Sequence, residues 1–125
     1  LLYYGCTPSR IVLLAPDRQQ KITVFEWSDQ YNEAYVIITL GDYQKDRLPR
    51  SYLKIRKKWR DGWQCLIKWE YDRIIIFEPY NLFEEHNLDE SPIEYHTMKD
   101  KSFYSIFYNE QALLHYTRLD SSYFN

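Results

Sequence analysis

Five side chains able to ligate a hard cation crowd into one heptapeptide, EEHNLDE: Glu84, Glu85, His86, Asp89 and Glu90. Calcium or magnesium would be held through their carboxylate oxygens. A dedicated calcium loop places ligands at every second position around a turn glycine, and this stretch has neither feature, so an acidic solvated loop is the expectation. The histidines His86, His96 and His115 have no metal-site spacing. Cys6 and Cys65 permit one bridge by count. Cys65 falls in an alternating run on the face of Ile67 and Trp69, however, which is the setting of a buried, inert thiol. The chain contains no HExxH, CxxC, GxSxG or glycine-rich phosphate loop. Ser28 and Cys65 have no distinguishing local base. The reading is therefore of a non-enzymatic protein with no metal site and no cofactor.

The other chemistry on offer is charge. Arg47, Arg50, Lys54, Arg56, Lys57, Lys58 and Arg60 follow one another with no acid among them, whereas Glu84 to Glu94 contains no lysine or arginine. If residues 51–59 are extended, Lys54, Arg56 and Lys58 share one face. Lys68 is expected directly opposite Lys54 on the neighbouring strand, and Tyr52 supplies an aromatic neighbour. These five residues are the candidate binding set, suited to an acidic protein or a sulfated or phosphorylated glycan. Single-stranded nucleic acid could use the same groups by phosphate contact and stacking. A net charge of -2 disfavours that partner. The plainer alternative is an exposed strand guarded by lysines against edge pairing.

What would position these groups is a set of strands. The chain has 125 residues, room for one domain, and 18% of them are aromatic, with Tyr 13, Phe 6 and Trp 4 against Gly 3. That composition favours pleated, half-buried surfaces. Runs at 10–15, 21–27, 34–40 and 73–77 read as strands between turn signals. Trp59 and Trp63 flank Arg60-Asp61-Gly62, which suggests a tight hairpin with Gly62 left-handed, Ile55 opposite Ile67 and Leu53 opposite Trp69. A return through Tyr71-Asp72 would set Trp69 against Ile74 and Ile67 against Ile76, with Ile75 and Phe77 covered on the other face. Residues 81–92 read as a polar excursion, 93–98 and 102–108 as further strands. The segment 111–118 reads as a last strand, with a short helix capped by Asn109 as the alternative. The fold class is all-β: an antiparallel meander of seven to nine strands forming a small sandwich or barrel, with room for a short C-terminal helix.

The first residues carry an address rather than a reaction. LLYYGC resembles the end of a bacterial lipoprotein signal, a leucine-rich tail and the small Gly5 before the cysteine that would be lipidated, here Cys6. It departs from that pattern at Tyr4, where a small residue usually stands. The sole methionine is Met98, so upstream sequence is expected. The resemblance implies residues 1–8 as a signal remnant or tether and 9–125 as one β domain. The domain would be lipid-anchored on the periplasmic side of the bacterial envelope, meeting the membrane only through its anchor. The functional expectation is a domain that binds or blocks a macromolecular partner. A cytoplasmic interaction or inhibitor domain, or a barrel holding an apolar ligand, are the alternatives.

Overall fold

The computed structural model describes residues 10–57, 62–80 and 92–124, and the backbone of 83–86. Nine strands form in chain order: β1 (Arg10–Leu14), β2 (Lys21–Ser28), β3 (Ala34–Leu40), β4 (Leu53–Arg56), β5 (Gln64–Trp69), β6 (Ile74–Glu78), β7 (Phe83–His86), β8 (Ile93–Thr97) and β9 (Thr117–Asp120). One helix, α1 (Asp100–Phe107), and a 3-10 turn at Ala112–Leu114 lie between β8 and β9. The strands make two sheets, ordered β1-β2-β3-β4-β7 and β8-β6-β5-β9. The expected β-rich sandwich is therefore observed. The sheets stay separate, so it is not a closed barrel, and buried side chains of both sheets pack in the space between them.

Alternation along the strands makes this core. Ile22 and Val24 of β2, Val36 and Ile38 of β3, and Leu53 and Ile55 of β4 point inward from the first sheet. Cys65 and Ile67 of β5 and Ile74 and Ile76 of β6 meet them from the second. Each fully buried isoleucine or leucine contributes about 1.5–3 kcal/mol of transfer free energy. The β5–β6 register has Trp69 opposite Ile74 and Ile67 opposite Ile76, as the sequence predicts.

The predicted hairpin between β4 and β5 does not form. β4 pairs with β3 and β7 in one sheet, and β5 with β6 and β9 in the other. The chain changes sheets between them, through residues 58–61, which lie outside the described residues. Ile55 and Ile67 still share a core, but they approach it from opposite sides. Alternation could not separate these outcomes, because a hairpin face and two facing sheets bury the same residues. Gly62 is correspondingly not left-handed; Gly41, at the end of β3, is the positive-φ glycine among the described residues, at 86°. The chain changes sheets twice more around β7, which makes β8 run parallel to β6 while the other pairings are antiparallel. Part of the polar excursion is thus an edge strand, β7, whose register sets Glu85 opposite Lys54.

Both outer faces are covered as well. Over the first sheet, Phe25, Tyr35 and Ile37 pack with Trp27, Tyr43, Leu48 and Tyr52. The 41–52 connection is strapped down by Thr23, whose hydroxyl donates to the Gly41 carbonyl at 2.6 Å and accepts from the Tyr43 N–H at 2.8 Å. The buried Arg10 guanidinium lies 4.5 Å from the Phe25 ring centre and donates to the carbonyls of Tyr43 and Lys45.

Over the second sheet, Phe103 and Phe107 of α1 pack on Leu66 and Phe77, which supplies the two-sided cover expected for β6. The predicted strand at 102–108 is therefore a helix. The tail combines both of its readings. The Asn109 side chain accepts from the N–H groups of Gln111 and Ala112 to start the 3-10 turn, and the strand follows at Thr117.

Candidate binding groove

The structure divides the basic binding set. Tyr52, Lys54 and Arg56 do stand together on the outward face of β4. Lys68 is on β5 in the other sheet, opposite Ile75, so the expected Lys54–Lys68 pair does not exist. Lys58 and Cys6 lie outside the described residues.

Lys54, Arg56 and the neighbouring Lys57 each have a local partner. The Lys54 ammonium sits 4.1 Å from the Tyr35 ring centre, Arg56 lies 3.4 Å from the Glu33 carboxylate, and Lys57 lies 2.7 Å from Glu26. The half-exposed Arg56–Glu33 pair is worth little in stability. These contacts do dilute the positive potential that an acidic partner would seek. Among the described residues, no three His, Cys, Asp or Glu side chains gather as metal ligands.

Two concavities among the described residues lie elsewhere, and sequence patterning did not point to them. At the end of the sandwich where β1 turns into β2, a hollow of about 630 Å³ is lined by Trp69, Tyr71, Leu113, Leu114, His115 and Tyr116. A second hollow, of about 430 Å³, is lined by Leu14, Arg18, Arg118 and Tyr123. The two share the wall formed by Ala15, Pro16, Leu113, Tyr116 and Thr117, so they lie side by side, and together they are called the trough. Trough sizes in this range suit ligand binding.

Each wall has a local reason for its shape. The β1–β2 turn is closed by the Ala15 N–H donating to the Gln20 carbonyl at 2.9 Å, with Arg18 left-handed at φ 61°. Asp17 steadies this turn by accepting from the Gln19 N–H. The opposite wall is the Asn109-started turn, which leads Leu113 and Tyr116 to β9. Trp69 is oriented by its indole N–H, which donates to the Thr117 hydroxyl at 2.8 Å. Arg118 ties the end of α1 to β9, donating to the Phe107 carbonyl at 3.2 Å with its guanidinium 5.4 Å from the Phe107 ring centre.

The trough carries both signs of charge. Glu70 bonds Arg73 at 2.6 Å and lies 3.7 Å from Lys68, and the Arg73 hydrogen bond holds its carboxyl below the usual carboxylate range. Arg73 reaches Glu94 as well, at 3.2 Å. Arg18, Arg118 and Asp17 complete the rim. Against this polar frame, Tyr71 is 100% exposed and Leu114 is 80% exposed. Two large side chains exposed beside an aromatic-lined hollow offer contact area to a partner, and the tyrosine does so at low entropic cost. No protein-family model, curated protein or solved structure matches the chain.

Proposed function

We propose that this chain is a non-enzymatic binding domain that seats an extended segment of a protein partner in the trough between the β1–β2 turn and the start of β9. The supporting observation is the adjacency of the two hollows through five shared lining residues, with Tyr71 and Leu114 exposed beside them. A linear trough with aromatic floor and mixed-charge rim suits a chain segment carrying alternating apolar and charged side chains. The acidic protein or glycan expected at the basic strand has less in its favour, because Lys54, Arg56 and Lys57 are each engaged nearby.

Peptides selected from a displayed random library on the wild-type domain test this reading. Leu114→Asp, at an exposed position, should leave the melting temperature unchanged and weaken those peptides by about tenfold or more, the effect of losing one interface anchor. Peptides that bind the variant as well as the wild type, or a library that yields none, would overturn it.

The address remains a second part of the proposal and rests on LLYYGC. Lipidation of Cys6 would tether the domain to the bacterial envelope, and no helix among the described residues is long and apolar enough to cross a membrane. Expressed with its native upstream sequence, a Cys6→Ser variant should move from the membrane fraction to the soluble fraction. Unchanged membrane partitioning would sink the anchor and leave the binding reading standing.

A further inference from the structure

A second concavity lies at the other end of β5, roughly 17 Å from the trough at the rise of an extended strand. Its volume is about 70 Å³, and its lining includes Trp63, Gln64, Cys65, Glu78, Tyr80 and Tyr104. It reaches inward to a carboxylate: Glu78, the last residue of β6, is only 2% exposed. That carboxylate accepts from the Tyr95 hydroxyl at 2.5 Å and from the Tyr80 backbone N–H. At the mouth the hydroxyls of Tyr80 and Tyr104 are 2.8 Å apart, and Tyr104 donates to the Gln64 carbonyl oxygen at 2.8 Å. Tyr104 is further fixed by stacking on Tyr108, with ring centres 5.9 Å apart. The cavity is thus built: a buried acid and three aromatic residues in its lining, and hydrogen bonds at the mouth that tie Tyr80 and Tyr104 together.

The geometry points to a receptor for an alkylammonium head group, bound by the Glu78 carboxylate and the faces of Trp63, Tyr80 and Tyr104. The volume admits an ammonium and its nearest methylenes, since about 10–15 Å³ of such space already holds one water molecule. A cation over aromatic faces gains about 0.5–2 kcal/mol, more as water is removed. The local field has the matching sign. The Cys65 thiol is pushed up by burial and then by the Glu78 charge, and Tyr95 is pushed up by burial and then by its hydrogen bond to Glu78. An anion is therefore repelled. A hard metal ion is a poor guest, because it needs six or more oxygen ligands and the site offers one carboxylate among the described residues.

The experiment titrates the full chain with n-butylammonium and, separately, with n-butanol, following tyrosine and tryptophan side-chain resonances. Saturable binding of the amine, with about tenfold preference over the alcohol, is expected from a carboxylate-plus-aromatic site. Glu78→Gln should erase that preference. Tyr80→Ala, at a partly exposed position with less bearing on folding, should weaken the amine by about threefold or more, the worth of one cation–aromatic contact. Equal binding of amine and alcohol, or an unchanged affinity in folded Tyr80→Ala, would overturn the inference. N-acetyl-lysine methylamide supplies the remaining arm. Binding as tight as n-butylammonium assigns the site to lysine side chains of a partner; binding of n-butylammonium alone assigns it to free small amines. Neither guest binding would overturn it.

Discussion

Replacing Phe103 by alanine should lower the unfolding free energy by about 3–5 kcal/mol, the usual cost of truncating a fully buried phenylalanine. Phe103 is 0% exposed and packs with Leu66 and Phe107, with Phe77 and Met98 at the edge of the cluster. Its ring stacks on Phe107 at 5.4 Å and meets Tyr104 edge-on at 5.2 Å. The loss should reach beyond one cavity. α1 has 8 residues and no side-chain cap bond at its N-terminus. A helix that short is marginal in water without tertiary packing, so α1 depends on these two phenylalanines for its existence. Urea unfolding should show the lower midpoint, and amide exchange should show α1 losing protection well before the β5–β6 pair. Ser105→Ala, on the exposed face, is the control and should change stability by less than about 0.5 kcal/mol. A Phe103→Ala loss below about 1 kcal/mol would contradict the packing, since surface sites already span that range.

That same segment shows why the sequence was legible only in part. SFYSIFY reads at period two as a strand with Phe103, Ser105 and Phe107 on one face and Tyr104, Ile106 and Tyr108 on the other. Phe103 and Phe107, however, are four apart, a spacing that shares a face in a helix and in a strand alike. Ser105 is the discriminating residue. A strand would put it beside the phenylalanines, whereas the helix turns it to water. A polar residue on the nominally apolar side was the available signal against a strand.

The β1, β2 and β3 runs were legible because their inward residues are β-branched and leucine without interruption. The β5–β6 register was legible because the Trp69–Ile74 and Ile67–Ile76 pairs agreed on it. The candidate trough was not legible at all. Its walls come from residues near 15, 69, 115 and 123, and no local motif links them. Tyr71 and the apolar tail Leu113-Leu114 were the only hints, and a single exposed apolar residue is ordinary on any surface. Only the fold brings them together.

The misread hairpin leads to the second large effect. Trp63→Ala should cost about 3–5 kcal/mol, because Trp63 joins two sheets rather than decorating one. Its side chain is 5% exposed and belongs to the shared core, with the ring 5.7 Å from Phe124. Its indole N–H donates at 3.1 Å to Glu26, which belongs to β2 in the opposite sheet, and Lys57 donates to the same carboxylate oxygen at 2.7 Å. Its backbone carbonyl accepts from Ser121 at 3.2 Å, which holds the C-terminal turn against the start of β5. Trp63→Phe keeps most of the ring and gives up the indole N–H. Glu26 retains Lys57, so that variant should lose about 1–2 kcal/mol for one hydrogen bond to a charged group and some packing. Far-UV circular dichroism in urea reads both variants without relying on the tryptophan that is removed. A tryptophan on a peripheral hairpin would show the two substitutions costing about the same, each under about 1 kcal/mol. A tryptophan that ties β2 to β5 across the sandwich requires alanine to cost well over twice what phenylalanine does.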